Sequence, residues 1–210
     1  MFSDTLTVVR EFCRSPVHTG ALSPSSRRLA EAVTVVVPGT GDPVVVELGP
    51  GTGPFTGAIQ RRLDGRGRHL AVEVNPRFAE VVSARFPEVE VVRGDAARLV
   101  ALLEENGVGA ADAVVSGLPW AVFAPRVQRS ILTAVAASLA PGGAFTTFTY
   151  EHARPLPAAI RFRRLLGTVF EEVVTGRTVW ANLPPAVVYH ARRPRPGHPP
   201  PGTAGGGTGP

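Results

Sequence analysis

The chain has 210 residues, 44% of them hydrophobic, which suits one domain with a real core and is too short for two full ones. All 22 basic residues are arginine and the formal charge is +5, a balance compatible with an anionic partner such as nucleic acid or an acidic lipid surface, although an arginine habit of the source genome would look the same. The single cysteine, Cys13, excludes an internal disulfide scaffold, no apolar run reaches the roughly 18 residues of a spanning helix, and Asp4, Arg10 and Glu11 interrupt the place of a signal peptide, so the expected location is cytoplasmic, with peripheral attachment to the inner membrane face left open.

In chain order, Phe2, Leu6, Val9 and Cys13 share one helical face, so Phe2 to Arg14 reads as an amphipathic helix that docks on the domain or lies in a membrane interface. A turn-rich stretch from Ser15 to Ser26 breaks it, and a second helix is expected from about Ser25 to Val36. Residues 1–40 thus form an N-terminal helical cap. From Asp42 the pattern alternates, with strands expected at 43–48, 69–74, 89–93, 111–116 and 143–150 and helices at about 54–63, 76–85, 96–105 and 125–140. Such alternation predicts an α/β fold: a Rossmann-like, mostly parallel sheet with helices on both faces. Asn75-Pro76 and Ala140-Pro141-Gly142-Gly143 mark a helix start and a helix end. A short helix near 157–166 precedes two extended runs, Phe170 to Trp180 and Ala186 to Arg192, whose link is too short to cross a sheet, so they should pair antiparallel. The domain is expected over 41–193, and the Pro- and Gly-rich residues 194–210 read as a disordered tail.

The chemistry gathers at strand ends. Val44-Val45-Val46-Glu47-Leu48-Gly49-Pro50-Gly51-Thr52-Gly53 is a buried strand passing into three alternate glycines and then a helix N-terminus, the arrangement of a ligand loop. An acid at Glu47, just before the glycines, disfavours a phosphate there and favours a cationic or amino-bearing ligand. The second strand delivers Glu73-Val74-Asn75, an acid 20 residues beyond Gly53 where a carboxylate would take ribose hydroxyls. The third delivers Asp95-Ala96, able to accept from an exocyclic amino group, and the fourth delivers Ser116-Gly117-Leu118-Pro119-Trp120. Each alone is modest, since a terminal aspartate is often only a helix cap. In order, three carboxylates on one sheet edge describe a nucleoside site.

These residues resemble the class I S-adenosylmethionine-dependent methyltransferases, with Glu47 to Gly53 similar to the first motif, Glu73 to the ribose acid, Asp95 to the adenine-side acid, and Ser116 to Trp120 to the fourth motif. The resemblance implies S-adenosyl-L-methionine as cofactor, held by Glu47, Gly49, Gly51, Thr52, Gly53, Glu73, Val74, Asp95, Ala96 and Ser116, and no metal. The phrases Phe12 to Pro16, Thr19 to Ser26, Glu73-Val74-Asn75 followed by Phe78, Ser116-Gly117-Leu118-Pro119, and Asn182 to Tyr189 are similar to bacterial phospholipid N-methyltransferases, which methylate phosphatidylethanolamine. That similarity implies a phospholipid or membrane partner contacted through Phe2 to Arg14. The ribosomal RNA adenine dimethyltransferases also resemble the cofactor half, but carry an asparagine where this chain has Gly117, and would imply a nucleic-acid partner; a small-molecule methyltransferase shares the same cofactor residues. The acceptor amine must lose a proton, and the candidate groups are Tyr150, Glu151, His152, His18 and Tyr189, with Tyr150 preferred, Trp120 beside the transferred methyl, and Arg177 or Arg154 for a lipid phosphate.

Overall fold

The computed structural model describes residues 25–196. The expected helix Phe2 to Arg14, the stretch bearing His18 and the last fourteen residues of the expected tail lie outside the described residues. The elements run, in order, α1 (Arg27–Val33), β1 (Val44–Leu48), α2 (Pro54–Leu63), β2 (Arg68–Glu73), α3 (Pro76–Arg85), β3 (Glu90–Arg93), α4 (Leu99–Glu105), β4 (Ala111–Ser116), α5 (Pro125–Ser138), β5 (Leu139–Tyr150), α6 (Pro157–Val169), β6 (Phe170–Thr175) and β7 (Ala186–Pro194).

The valine run of β1 is central because both of its faces are covered, and residues 45–48 are all buried. Parallel pairing to β2 on one side and β4 on the other makes this the point where the chain reverses its direction across the sheet. The full order is β3-β2-β1-β4-β5-β7-β6, with β7 antiparallel to both of its neighbours. This is the mostly parallel sheet and antiparallel C-terminal pair expected from the pattern. In such a sheet a ligand lies beyond the carboxyl ends of β1 and β4.

Side-chain alternation along β1 divides the core. Val46 and Leu48 face a layer built with α4, α5 and α6, which contributes Leu102, Ile131, Val135, Phe162 and Leu166. Val45 faces the other layer, with Leu29 and Val33 of α1 and Phe55 and Ile59 of α2. An aromatic stack fills the first layer. Trp120 lies against Phe162 with ring centroids 4.3 Å apart and 16° between planes, and edge-on to Phe145, which in turn stacks on Phe170.

Three expectations shift at their ends. The helix expected to reach residue 140 stops at Ser138, and β5 begins at once with Leu139, paired to Ala111. Pro141-Gly142, read from the sequence as a helix stop, instead forms an irregularity inside β5, where the register to β4 shifts and Gly142 takes φ +81. Before α4, residues 96–98 form a tighter turn whose first N–H groups are capped by Asp95, which accepts from the Ala97 N–H at 2.9 Å. The run expected to stay extended to Trp180 ends as a strand at Thr175, and beyond it only Val179 bridges to Ala186.

Phe145 is fully buried between Trp120 and Phe170, so Phe145→Ala should cost about 3–5 kcal/mol in denaturant unfolding. A loss under about 1 kcal/mol would mean that the stack does not hold the layer together.

Candidate functional site

The loop after β1 turns through three glycines with positive φ: Gly49 at +67, Gly51 at +57 and Gly53 at +88. Only Gly51 is open above, with no atom within 4 Å of where a Cβ would sit. Gly49 instead backs against the turn after β4, where a Cβ would come within 2.8 Å of Leu118 Cδ2. The approach is mutual, since a Cβ at Gly117 would lie 2.7 Å from the Gly49 carbonyl oxygen, and the Gly117 N–H donates to the Leu48 carbonyl at 2.8 Å. Two loops from adjacent strands are thus held backbone to backbone at the switch point. Gly53 caps α2, whose first residue is Pro54, so the N-terminus of that helix is aimed at the loop.

Glu73, at the end of β2, is 3% exposed and joins the loop to the next strand. Its Oε2 accepts from the Gly51 N–H at 3.3 Å and its Oε1 from the Asn75 N–H at 2.8 Å. Burial pushes its carboxyl above the usual glutamate range, and the bonds from Asn75 and Gly51 counter this in part. A cleft opens beside it, lined by Glu73, Val74, Phe78, Asp95, Leu118 and Pro119, with Gly51 and Ala96 at its margins. Asp95 uses Oδ1 to cap the Ala97 N–H and lines the cleft half-exposed, so its carboxylate can also accept from a ligand donor. A flat apolar slot with one buried carboxylate beside it and a second at its rim fits a nucleoside: ring faces against Val74, Phe78 and Leu118, hydroxyls on Glu73, an amino group near Asp95. A larger groove, near 750 Å³, lies between α1 and the segment 176–181 and shares no lining residue with this cleft, so size does not identify the site.

Of the residues read from the sequence as cofactor ligands, Gly49, Gly51, Glu73, Val74, Asp95 and Ala96 meet at this cleft. Glu47, Thr52, Gly53 and Ser116 do not line it. Glu47 is fully buried under α2, where its Oε2 accepts from Thr56 Oγ1 at 2.8 Å and lies 3.3 Å from His69 Nε2. The His69 contact is close but misaligned for a hydrogen bond, and Glu47 Oε1 has no partner among the described residues. The expectation of a direct ligand contact by Glu47 is therefore corrected: residue alternation along β1 turns the side chain into the layer below the loop. Ser116 is likewise internal, its Oγ accepting from Trp120 Nε1 at 3.1 Å and from the Leu118 N–H at 3.3 Å.

Trp120, expected beside the reacting methyl, is 2% exposed and packed on Phe162. The apolar surface of α6 draws the indole inward, and buried Gln128 secures the turn by donating from Nε2 to the carbonyls of Trp120 (2.7 Å) and Ala158 (3.1 Å). Tyr150 closes β5 at the carboxyl edge, half-buried, with its ring stacked on His152 and edge-on to Phe148. Burial pushes its phenol above the usual value, so it stays protonated through neutral pH and is a donor there, not a base. Glu151 is held below the usual carboxylate range by Thr178 and Arg154, and Tyr189 is buried with the Arg163 guanidinium 5.8 Å above its ring. His18 lies outside the described residues.

Sequence reasoning gave no ligand role to Val72, Gly94 or Ile131, which line the cleft, and took Gly117 only as part of the fourth motif. Ile131 sits in the apolar stripe of α5 and carries no mark that separates it from core. Gly117 had a readable signal: glycine directly after a buried strand, at a place where a close backbone approach requires one.

The methyltransferase domain family matches residues 45–143, which spans β1 through the Pro141-Gly142 irregularity. Along 90% of its length the chain is 34% identical to the ornithine lipid N-methyltransferase of Singulisphaera acidiphila, covering 96% of that protein. It is 37% identical to the ribosomal RNA small subunit methyltransferase A of Rhodococcus erythropolis, but over only 41% of this chain and 29% of the other. Among solved structures, the O-methyltransferase from Bacillus cereus in complex with SAH superposes with a TM-score of 0.62 at 14% identity, over 90% of each chain. With a relative matched nearly end to end and this cleft at the switch point, the chain belongs to the class I S-adenosylmethionine-dependent methyltransferases, and S-adenosylmethionine is its cofactor.

Proposed function

We propose that this enzyme methylates the head-group amine of a membrane lipid, with phosphatidylethanolamine or an ornithine lipid as the acceptor class. The carrying observation is the near full-length similarity to an ornithine lipid N-methyltransferase, which extends through α6, β6 and β7, beyond the cofactor half. Similarity to the ribosomal RNA enzyme covers less than half of the chain. The turn after β4 points the same way. Gly117 offers no amide to a target adenine, and its contact with the Gly49 carbonyl leaves no room for one without moving the loop.

Bound S-adenosylmethionine supplies an electrophilic methyl on a sulfonium. Glu73, Asp95 and the open face of Gly51 hold and orient the nucleoside, and the packed turn of Leu118 and Pro119 bounds the cleft on the acceptor side. The acceptor amine must be neutral to attack. Tyr150 does not line the cleft, and with its phenol held protonated it can donate at the carboxyl edge but not act as a base, so the proton of the amine leaves to solvent. Exclusion of water by the apolar cleft wall supplies the rest.

Three outcomes are expected. When the chain is expressed in a host that lacks methylated lipids, labelled methyl groups should enter extracted lipids; label in RNA and not in lipid would overturn the acceptor reading. Gly51→Arg places a side chain into the cleft, at a φ of +57 that costs a non-glycine residue about 1 kcal/mol, and should abolish S-adenosylhomocysteine binding in calorimetry while a cooperative thermal transition remains; unchanged affinity would count against the site. Ribose hydroxyls donate to ionised Glu73, so affinity should be full above its raised pKa and decline as pH falls through it. Stability of the ligand-free protein has the opposite sign, because a carboxyl with a raised folded pKa stabilises when protonated and that contribution is lost as pH rises. Glu73→Gln should remove the acid limb of the binding profile and weaken binding about tenfold or more.

A further inference from the structure

We propose that the carboxyl edge of the sheet is itself a membrane-docking surface, whose apolar rim enters the interfacial layer of an anionic bilayer with the cleft facing the lipid. The inference rests on the lipid-amine reading and adds the surface through which the lipid is reached.

Eight large apolar side chains are exposed among the described residues, and five of them lie on this one edge. Val122 is in the turn after β4, Leu156 and Ile160 are at the start of α6, and Trp180 and Leu183 are in the loop joining β6 to β7. That loop shares the edge with the cleft because β7 begins opposite the end of β5, with Ala186 paired to Tyr150. A scattered exposed leucine needs no explanation, but a tryptophan 76% exposed three residues from a leucine 71% exposed does. Tryptophan is the side chain best suited to the boundary between head groups and hydrocarbon.

The rim is held out by structure, not left loose. Between Trp180 and Leu183, Asn182 is buried, accepting from the Ser26 N–H through Oδ1 at 2.8 Å and donating from Nδ2 to the Pro184 carbonyl at 2.7 Å. Thr178 is bonded to Glu151 after β5, and the Glu151 N–H donates to the Pro185 carbonyl. Gln128 ties the Val122 turn to Ala158, between Leu156 and Ile160. Outward placement of these side chains therefore costs no further ordering when they meet a surface.

Charge supports a bilayer that is anionic. From residue 117 to 169 the sequence has six arginines and one acid, Glu151. Arg154 and Thr178 already occupy that acid, while Arg126 and Arg177 are exposed on the same edge. An arginine habit of composition would not remove the acids from one segment. A basic edge would also suit RNA, but exposed Trp180, Leu183, Leu156 and Ile160 match hydrocarbon better than a phosphate backbone.

The test uses the full chain with vesicles of phosphatidylethanolamine and phosphatidylglycerol, and with phosphatidylcholine vesicles as the uncharged control. Trp120 is already buried, so a blue shift of emission on binding reports Trp180. The expected result is sedimentation with the anionic vesicles, weakened by salt, with a blue shift. The double variant Trp180→Ser, Leu183→Ser should bind at least about tenfold more weakly, with unchanged melting temperature and S-adenosylhomocysteine affinity. Trp180→Phe should keep the binding. Absence of vesicle binding by the unaltered chain, or equal binding by the double variant with no emission shift, would overturn the proposal; the second result would assign attachment to another surface such as residues 1–24. A blue shift with an RNA oligonucleotide and none with vesicles would also overturn it. Methylation of lipid in detergent micelles separates the two readings. If micellar lipid is methylated while Trp180 never enters a bilayer, the docking surface fails and the acceptor stands; if Trp180 enters and no lipid is methylated, the acceptor fails.

Discussion

A buried carboxylate bonded only to backbone N–H groups organises this site. Glu73 closes β2, yet its oxygens reach the Gly51 N–H of the neighbouring loop and the Asn75 N–H at the start of α3. Burying a carboxylate in this way is unfavourable unless donors meet it, and the shift of its pKa upward shows that the backbone donors do not fully compensate. On the proposed reading, the remaining acceptor capacity would be met by a ribose diol. Glu73 ties the Gly51 loop to the start of α3 and lines the cleft between them.

The second constraint is the backbone contact between the Gly49 loop and the turn at Gly117. The two loops follow different strands, β1 and β4, which are hydrogen-bonded neighbours. The absence of side chains at Gly49 and Gly117 lets the two loops touch, so the geometry of the cleft between them is set by main chain. Main-chain positioning is stiffer than side-chain positioning, which suits an in-line displacement that depends on alignment more than on proton transfer. Below the loop, Glu47 ties β1 to Thr56 of α2 while His69 and Gln60 fill the space beside it. Gln60 Nε2 lies 2.9 Å from His69 Nδ1, and His69 Nε2 faces the Glu47 carboxylate at 3.3 Å. An acid there steadies the loop from behind instead of meeting the ligand.

Most of the fold was legible because alternation of strand and helix is a periodic signal, and parallel pairing follows from the length of each crossover. What failed were places where one local rule competed with another. Pro141-Gly142 reads as a helix stop, but the long pairing of β5 with β4 and β7 absorbs it as an irregularity. The acids Glu73 and Asp95 were singled out by their positions at strand ends, and both line the cleft. Position at a strand end does not reveal which way a side chain turns, so Glu47 and Ser116 were assigned to the ligand although alternation and the Trp120 indole hold them inside. Trp120 failed for a related reason: the sequence shows an aromatic at a site motif and cannot show that Phe162, more than forty residues later, stacks on it.

The same rule that misled for Trp120 explains why Trp180 is informative. An indole next to apolar neighbours is expected to be drawn into the core, and this chain does that once, at Trp120. Trp180 has partners within reach of the same effect, since Val179 and Val188 line the groove beside it, yet the backbone around it is fixed by Asn182 and Thr178 so that the ring stays in solvent. Leaving so large an apolar surface in water lowers stability unless something covers it. Covering it with a lipid surface, as proposed, would place the edge that carries the cleft against the layer in which a lipid amine resides, so one geometric feature would account both for an exposed tryptophan and for the arrival of a lipid acceptor.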